Sequence, residues 1–158
     1  MENKYVKIHS LLRMFGALLA IAVFISMFFT KLVVHETFEK VFVDFFNGAF
    51  FGDDIYKNGN VFAFIGYIFV LLGGLAGLAF VFIDEIIGKD LTKKLSFVAG
   101  GMAVLGGIFI LLFAPIFKAL NELGDGFVTG AAPIVFGIFA ILVGGANIAA
   151  PILEDKGL

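Results

Sequence analysis

Residues 58–83 read NGNVFAFIGYIFVLLGGLAGLAFVFI, a run of 26 residues between Lys57 and Asp84 that carries no charge. A helix that crosses a lipid bilayer needs about 20 consecutive, predominantly apolar residues. The run is therefore long enough to span a membrane as a helix.

Three further charge-free runs have the same character, and they comprise residues 14–30, 95–117 and 126–153. Arg13 lengthens the usable part of the first run, because its aliphatic stem allows the guanidinium to reach the lipid headgroups. We predict four membrane spans, at about residues 11–33, 60–83, 95–118 and 128–151.

The overall composition agrees with this pattern. Of the 158 residues, 61% are hydrophobic and 15% are charged, whereas a soluble domain usually carries about 25% charged residues. A soluble domain of this size has too small a core to hide so many apolar side chains. We therefore expect a single all-α membrane domain over residues 1–158, with the lipid bilayer as the solvent of most side chains.

Charge and cysteine content exclude several classes of function. The net charge of −2 offers no basic surface for phosphates, so nucleic acid is not an expected partner. The absence of cysteine rules out disulfides, thiolate metal sites and cysteine nucleophiles. The sequence also contains no serine hydrolase elbow, phosphate-binding loop or zincin helix. We expect neither catalytic residues nor a cofactor.

The basic residues predict the orientation, because the cytoplasmic loops of membrane proteins carry an excess of Lys and Arg. One side of the predicted spans holds seven: Lys4, Lys7, Arg13, Lys89, Lys93, Lys94 and Lys156. The other side holds four: Lys31, Lys40, Lys57 and Lys118. This bias places both termini in the cytoplasm. The preference for Lys and the 22 Phe are typical of an AT-rich bacterial genome, so we expect a bacterial cytoplasmic membrane.

The connections after the second and third spans are short, DEIIGKDLTKK at residues 84–94 and KALNELGD at residues 118–125. Short connections join antiparallel neighbours in a helix bundle. The predicted fold is an antiparallel bundle of four transmembrane helices.

The longest segment outside the predicted spans is the first connection, at about residues 34–59. Its apolar side chains recur at the spacing of an amphipathic helix, and the largest are Phe38, Phe42, Phe45, Phe46 and Phe50. Two interpretations are open. The helix either lies on the outer membrane surface or caps the bundle, or its Phe face binds a partner subunit or a lipid-like ligand.

A metal site near this segment is not expected. Asp53 and Asp54 precede Asn58 and Asn60, but a calcium loop requires oxygen ligands at alternate positions, a central glycine and a closing glutamate. The spacing fits a solvated turn.

The glycines reveal a repeat at a displacement of 71 residues. Gly59, Gly66, Gly73 and Gly74 match Gly130, Gly137, Gly144 and Gly145 in the pattern G-x6-G-x6-G-G. The match is either a chance result of many glycines or the trace of a duplication that made spans one and two a copy of spans three and four.

Small residues allow membrane helices to approach closely, whatever the origin of the repeat. We predict that eleven glycines form the packing surfaces of the bundle: Gly66, Gly73, Gly74, Gly77, Gly100, Gly101, Gly106, Gly107, Gly137, Gly144 and Gly145.

Asn147 is the polar residue of greatest interest within the spans, since a buried amide needs a hydrogen-bond partner. It either bonds across the bundle or lines a pore. These observations predict a non-catalytic structural or assembly subunit that forms a homo-oligomer or joins a larger membrane complex. The alternative is an uncharged channel or passive carrier for small neutral or apolar solutes, with the glycine seam as its path.

Overall fold

A computed structural model describes residues 7–30, 32–35, 49–52, 54, 57–124 and 126–157. This part of the chain contains four long helices: α1 (Ile8–Ser26), α2 (Val61–Ile87), α3 (Lys89–Leu111) and α5 (Ala131–Asp155). The remaining elements are a short helix, α4 (Phe113–Asn121), and two strands, β1 (Val33–His35) and β2 (Phe127–Thr129). All four long helices are long and apolar enough to cross a membrane.

The long helices pack into one bundle. Helices α1 and α3 each lie against both α2 and α5, and α2 and α5 also touch each other across the centre. The interior is filled by fully buried small and branched side chains, among them Ala20, Val23, Val70, Ala103, Ala140 and Val143. Large apolar side chains point outward, as at Leu18, Phe82 and Leu142. The bundle therefore has an apolar exterior as well as an apolar interior.

The helices do not end where the charge-free runs end. Helix α1 begins at Ile8 and so includes Arg13, whereas the predicted first span began at about residue 11 with Arg13 near the headgroups. Helix α2 continues through Asp84 to Ile87. Charged residues end an apolar run without ending a helix, because backbone hydrogen bonds continue regardless of side-chain charge.

The predicted third span, 95–118, is divided into two helices. Helix α3 ends at Leu111 and α4 begins at Phe113. Pro115 provides the physical reason, because proline has no backbone N–H and its ring clashes with the carbonyl four residues earlier, so it is tolerated only in the first turn of a helix. A continuous helix would have placed Pro115 in its interior.

Thr129 on β2 compensates for this break. Its hydroxyl accepts a hydrogen bond from the backbone N–H of Ala114 at 3.0 Å and lies 3.4 Å from the carbonyl oxygen of Leu111, to which it donates. Pro115 has no backbone N–H to donate to the carbonyl of Leu111, four residues earlier. One side chain thus supplies partners for two backbone groups freed at the junction of α3 and α4.

The two strands form a short antiparallel ladder that links the end of α1 to the start of α5, with Val33 opposite Thr129, Val34 opposite Val128 and His35 opposite Phe127. At the same end, Asn60 caps α2 by accepting from the N–H of Ala63 at 3.1 Å, and its amide donates to the carbonyl of Phe113 at 3.0 Å. We call this the aromatic end, defined by Phe50, Asn60 and Phe113.

Most of the predicted amphipathic outer helix, including Phe38, Phe42, Phe45 and Phe46, lies outside the described residues. Phe50 is described and is completely buried, with its ring centroid 5.4 Å from that of Phe113 and 5.9 Å from that of Tyr67. Phe50 therefore packs inside the bundle at this end, against Tyr67 and Phe113.

Candidate functional site

Four glycine doublets organise the packing of the bundle, and they are Gly73–Gly74, Gly100–Gly101, Gly106–Gly107 and Gly144–Gly145. Successive residues of an α-helix point about 100° apart, since there are 3.6 residues per turn. The two members of a doublet therefore face different directions, and the structure shows what each one meets.

The doublet Gly106–Gly107 joins α3 to two neighbours at once. A Cβ atom built on Gly106 would overlap the carbonyl oxygen of Gly66 on α2, and one built on Gly107 would lie 2.8 Å from the carbonyl oxygen of Gly137 on α5. Real Cβ atoms essentially never come within 3.0 Å of a heavy atom of a packed neighbour. The backbones of α2 and α5 thus contact α3 at a distance that only glycine permits.

The doublet Gly73–Gly74 likewise joins α2 to two neighbouring helices. A Cβ on Gly73 would lie 2.6 Å from the carbonyl oxygen of Ala99 on α3, and one on Gly74 would overlap the side chain of Ala20 on α1. Helix α2 is therefore held between α1 and α3 by adjacent glycines.

In each of the other two doublets, only one glycine packs against another helix of the same chain. A Cβ on Gly100 would lie 2.8 Å from the carbonyl oxygen of Gly144, and one on Gly144 would lie 2.6 Å from that of Gly100. Among the described residues, no atom of a neighbouring helix or loop lies within 4 Å of a Cβ built on Gly101 or Gly145. These two glycines point outward, so their expected place in the packing of the bundle is not found within the described chain.

Gly77 leaves room for a side chain instead of a backbone. A Cβ at this position would overlap the amide oxygen of Asn147, which is 1% exposed. The amide nitrogen of Asn147 donates to the carbonyl oxygen of Gly73 at 2.9 Å, while its amide oxygen has no hydrogen-bond partner among the described residues. Asn147 thus bonds across the bundle from α5 to α2 and is packed against glycine.

The opposite end of the bundle, which we call the charged end, is defined by Arg13, Lys89 and Glu154. The Arg13 side chain is 1% exposed, which differs from the expectation that it would reach the headgroups. Its Nη2 lies 3.4 Å from Ser96 Oγ and 3.7 Å from Glu154 Oε2. A second ion pair joins Lys93 of α3 to Asp155 of α5. The charged end therefore links α1, α3 and α5 through polar side chains.

No protein-family model matches the chain, and no curated protein matches its sequence. The role of the chain must therefore follow from its own geometry. That geometry consists of glycine doublets that bring the helices together and a buried charged group at one end. Both arrangements hold helices in fixed positions relative to one another.

Proposed function

We propose that the chain is a multi-pass protein of a bacterial cytoplasmic membrane, with four antiparallel spans and both termini in the cytoplasm. The length and apolar character of the four helices support the membrane location. The order of contacts supports the antiparallel arrangement, because Gly66 opposes Gly106 whereas Gly73 opposes Ala99. The excess of Lys and Arg on the side of the charged end supports the orientation.

Within that membrane, the chain acts as a non-catalytic assembly subunit that associates with further copies of itself. The observation that carries this proposal is the contrast within the doublets. Gly144 packs against α3 of the same chain, whereas Gly145, the next residue, faces outward, and no described atom of another helix lies within 4 Å of a Cβ built on it. Small residues on an outer face allow the backbone of another helix to approach closely.

Gly145 lines an open cavity between α1 and α5. Its other lining residues include two small ones, Ala146 and Ala149, and the larger Phe15 and Leu142. In lipid there is no hydrophobic force between helices, so association depends on close packing of this kind. A helix of a second copy is the occupant that we propose.

The alternative function, a channel or carrier with the glycine seam as its path, is less well supported. A solute path along the seam needs space between the helices. At Gly73, Gly100 and Gly144 the opposing backbone is already closer than a single Cβ atom would permit. These contacts favour a solid bundle over a pore within one chain.

Gly145→Leu is expected to abolish the oligomer, because a leucine side chain would fill the cavity that the second copy enters. The measurement is the mass of the protein in a mild detergent and in lipid nanodiscs, by light scattering. Gly101→Leu is the matched control, since Gly101 is also outward-facing but lies on α3. Its oligomer should persist.

A parent protein that is monomeric in both environments would contradict self-association. Solute flux through liposomes gives a separate readout. Flux of small neutral solutes by the parent protein, lost in the Gly145→Leu variant, would instead favour a pore formed between copies.

A further inference from the structure

Arg13 occupies an unusual position for a charged residue in a candidate membrane span. It lies in the second turn of α1, on the same helix face as Gly16 and Ala20, and that face is buried. Ionisable residues within membrane helices are costly to place and are functional by default when they face the interior of a bundle. The position of Arg13 therefore calls for a specific role.

The Arg13 side chain bridges α1 and α3, two helices that do not lie side by side in the bundle. Helices α1 and α3 occupy opposite corners of the bundle, because each lies between α2 and α5. From α1, the Nη2 atom of Arg13 reaches Ser96 of α3 at 3.4 Å and Glu154 of α5 at 3.7 Å. One long side chain thus connects α1 to two helices at the charged end.

Glu154 lies between two positive charges of very different exposure. Its Oε2 faces the buried Arg13, and its Oε1 lies 3.7 Å from Nζ of Lys89, whose side chain is 78% exposed. Exposed ion pairs contribute little to stability, since water screens them. Removing one partner of a buried pair is strongly destabilising, because the other charge is left without compensation. The pair with Arg13 is therefore the one that matters energetically.

The neighbouring contacts between α1 and α5 are looser than the other glycine contacts. A Cβ built on Gly16 would lie 3.6 Å from the Cβ of Ala146, an ordinary van der Waals distance. The contacts of α3 with α2 and α5 are much closer. At the charged end, α1 is thus held against α5 by the ion pair and by ordinary van der Waals contacts, not by interlocked backbones.

We propose that Arg13 and Glu154 form a charged lock that holds the first turns of α1 against α3 and α5. When the lock is opened, those turns separate while α2, α3 and α5 remain packed through their glycines. Asp84 on α2 adds a second negative charge that acts on Arg13 from the remaining helix. The lock is a property of the fold and is independent of whether the chain self-associates.

The test is backbone hydrogen exchange of the full chain in lipid nanodiscs, read by mass spectrometry. Glu154→Gln keeps the shape of the side chain and removes its charge. We expect about tenfold faster exchange in residues 9–16, where α1 loses its partner, and unchanged exchange in residues 99–107 of α3. Lys89→Ala is the matched control, because it removes only the exposed partner of Glu154, and its exchange should equal that of the parent.

A second variant separates charge from packing. In the double variant Arg13→Met and Glu154→Met, neither member of the Arg13–Glu154 pair is left without the other, so exchange of residues 9–16 should return close to the parent rate. Three results would overturn the lock: parent-like exchange in Glu154→Gln, faster exchange throughout the chain in that variant, or a double variant that exchanges as fast as Glu154→Gln.

Discussion

Replacing Gly144 with alanine is expected to destabilise the bundle by about 2 kcal/mol, the cost of adding a methyl group where no space exists. The added Cβ would lie 2.5 Å from Cγ2 of Val104 and 2.6 Å from the carbonyl oxygen of Gly100. The oxygen belongs to the backbone of α3 and cannot turn away. Helices α3 and α5 must therefore separate to accept the substitution.

Gly145→Ala is the control, and its effect should have the opposite sign. It makes the same chemical change one residue further along α5, where no other described part of the same chain lies within 4 Å of the added Cβ. Alanine favours a helix over glycine by up to about 1 kcal/mol, so this variant should be as stable as the parent or more stable. The measurement is helix content by circular dichroism during an SDS titration in mixed micelles. Equal midpoints for the two variants would contradict the packing described for this doublet.

Gly106→Ala is expected to destabilise the bundle still more, by about 3 kcal/mol, at the upper end of the range for overpacked cores. Its Cβ would overlap the carbonyl oxygen of Gly66 and lie 2.9 Å from Cγ2 of Val70, both on α2. The contact is mutual, because a Cβ on Gly66 would lie 2.8 Å from the carbonyl oxygen of Gly106. Neither backbone can yield without moving a whole helix.

Gly101→Ala is the control on the same helix, since Gly101 has no neighbour within 4 Å of its Cβ position. The SDS titration should place its midpoint at or above that of the parent, whereas the Gly106→Ala midpoint should be clearly lower. A Gly106→Ala variant that matches Gly101→Ala would show that α2 and α3 do not pack through these glycines.

The prediction of four long apolar helices packed together is confirmed, because it depends on two properties that are local in sequence, length and absence of charge. The direction in which each glycine faces is determined by the neighbouring helices and not by the local sequence. Gly144 and Gly145 are indistinguishable by composition, and only the arrangement of α1, α3 and α5 around them decides which one is buried. The sequence indicated the doublets but not their division of roles.

The repeat illustrates the same limit. Its second and third glycine pairs have equivalent surroundings, since Gly66 and Gly73 pack on α3 from one side and Gly137 and Gly144 pack on α3 from the other. The last pair differs, because Gly74 meets α1 whereas Gly145 faces outward. A fixed displacement in sequence cannot reveal that α1 lies against one copy of the pattern in a different way from the other.

The burial of Arg13 could have been predicted from the sequence. Its charge and its place near the start of the first predicted span favour a guanidinium that reaches the headgroups. Its spacing from Gly16 and Ala20, three and seven residues further on, places it on the small-residue face of α1. A charge on that face points into the bundle, where it needs a partner. Glu154 lies seven residues after Asn147, on the buried face of α5. Its spacing therefore also predicts a charge that faces the bundle.

The break between α3 and α4 was only partly predictable from the sequence. A proline near the end of the predicted third span favours a kink or a helix start, and Pro115 lies in the first turn of α4. The hydroxyl of Thr129, which bonds the backbone of Leu111 and Ala114, comes from a strand fourteen or more residues away. Such a contact depends on the tertiary arrangement and has no local pattern.

The four long helices of one chain close into a bundle in which α5 lies against α1. Disulfide formation in the double variant Gly16→Cys and Ala146→Cys tests this closure. The Cβ built on Gly16 lies 3.6 Å from that of Ala146, within the separation of about 3.5–4.5 Å found in disulfides, and the chain has no native cysteine to compete. Oxidation in native membranes, followed by electrophoresis without reductant, should give an intramolecular disulfide in monomeric protein. Free thiols after oxidation, or disulfides found only in covalent dimers, would contradict the closed bundle.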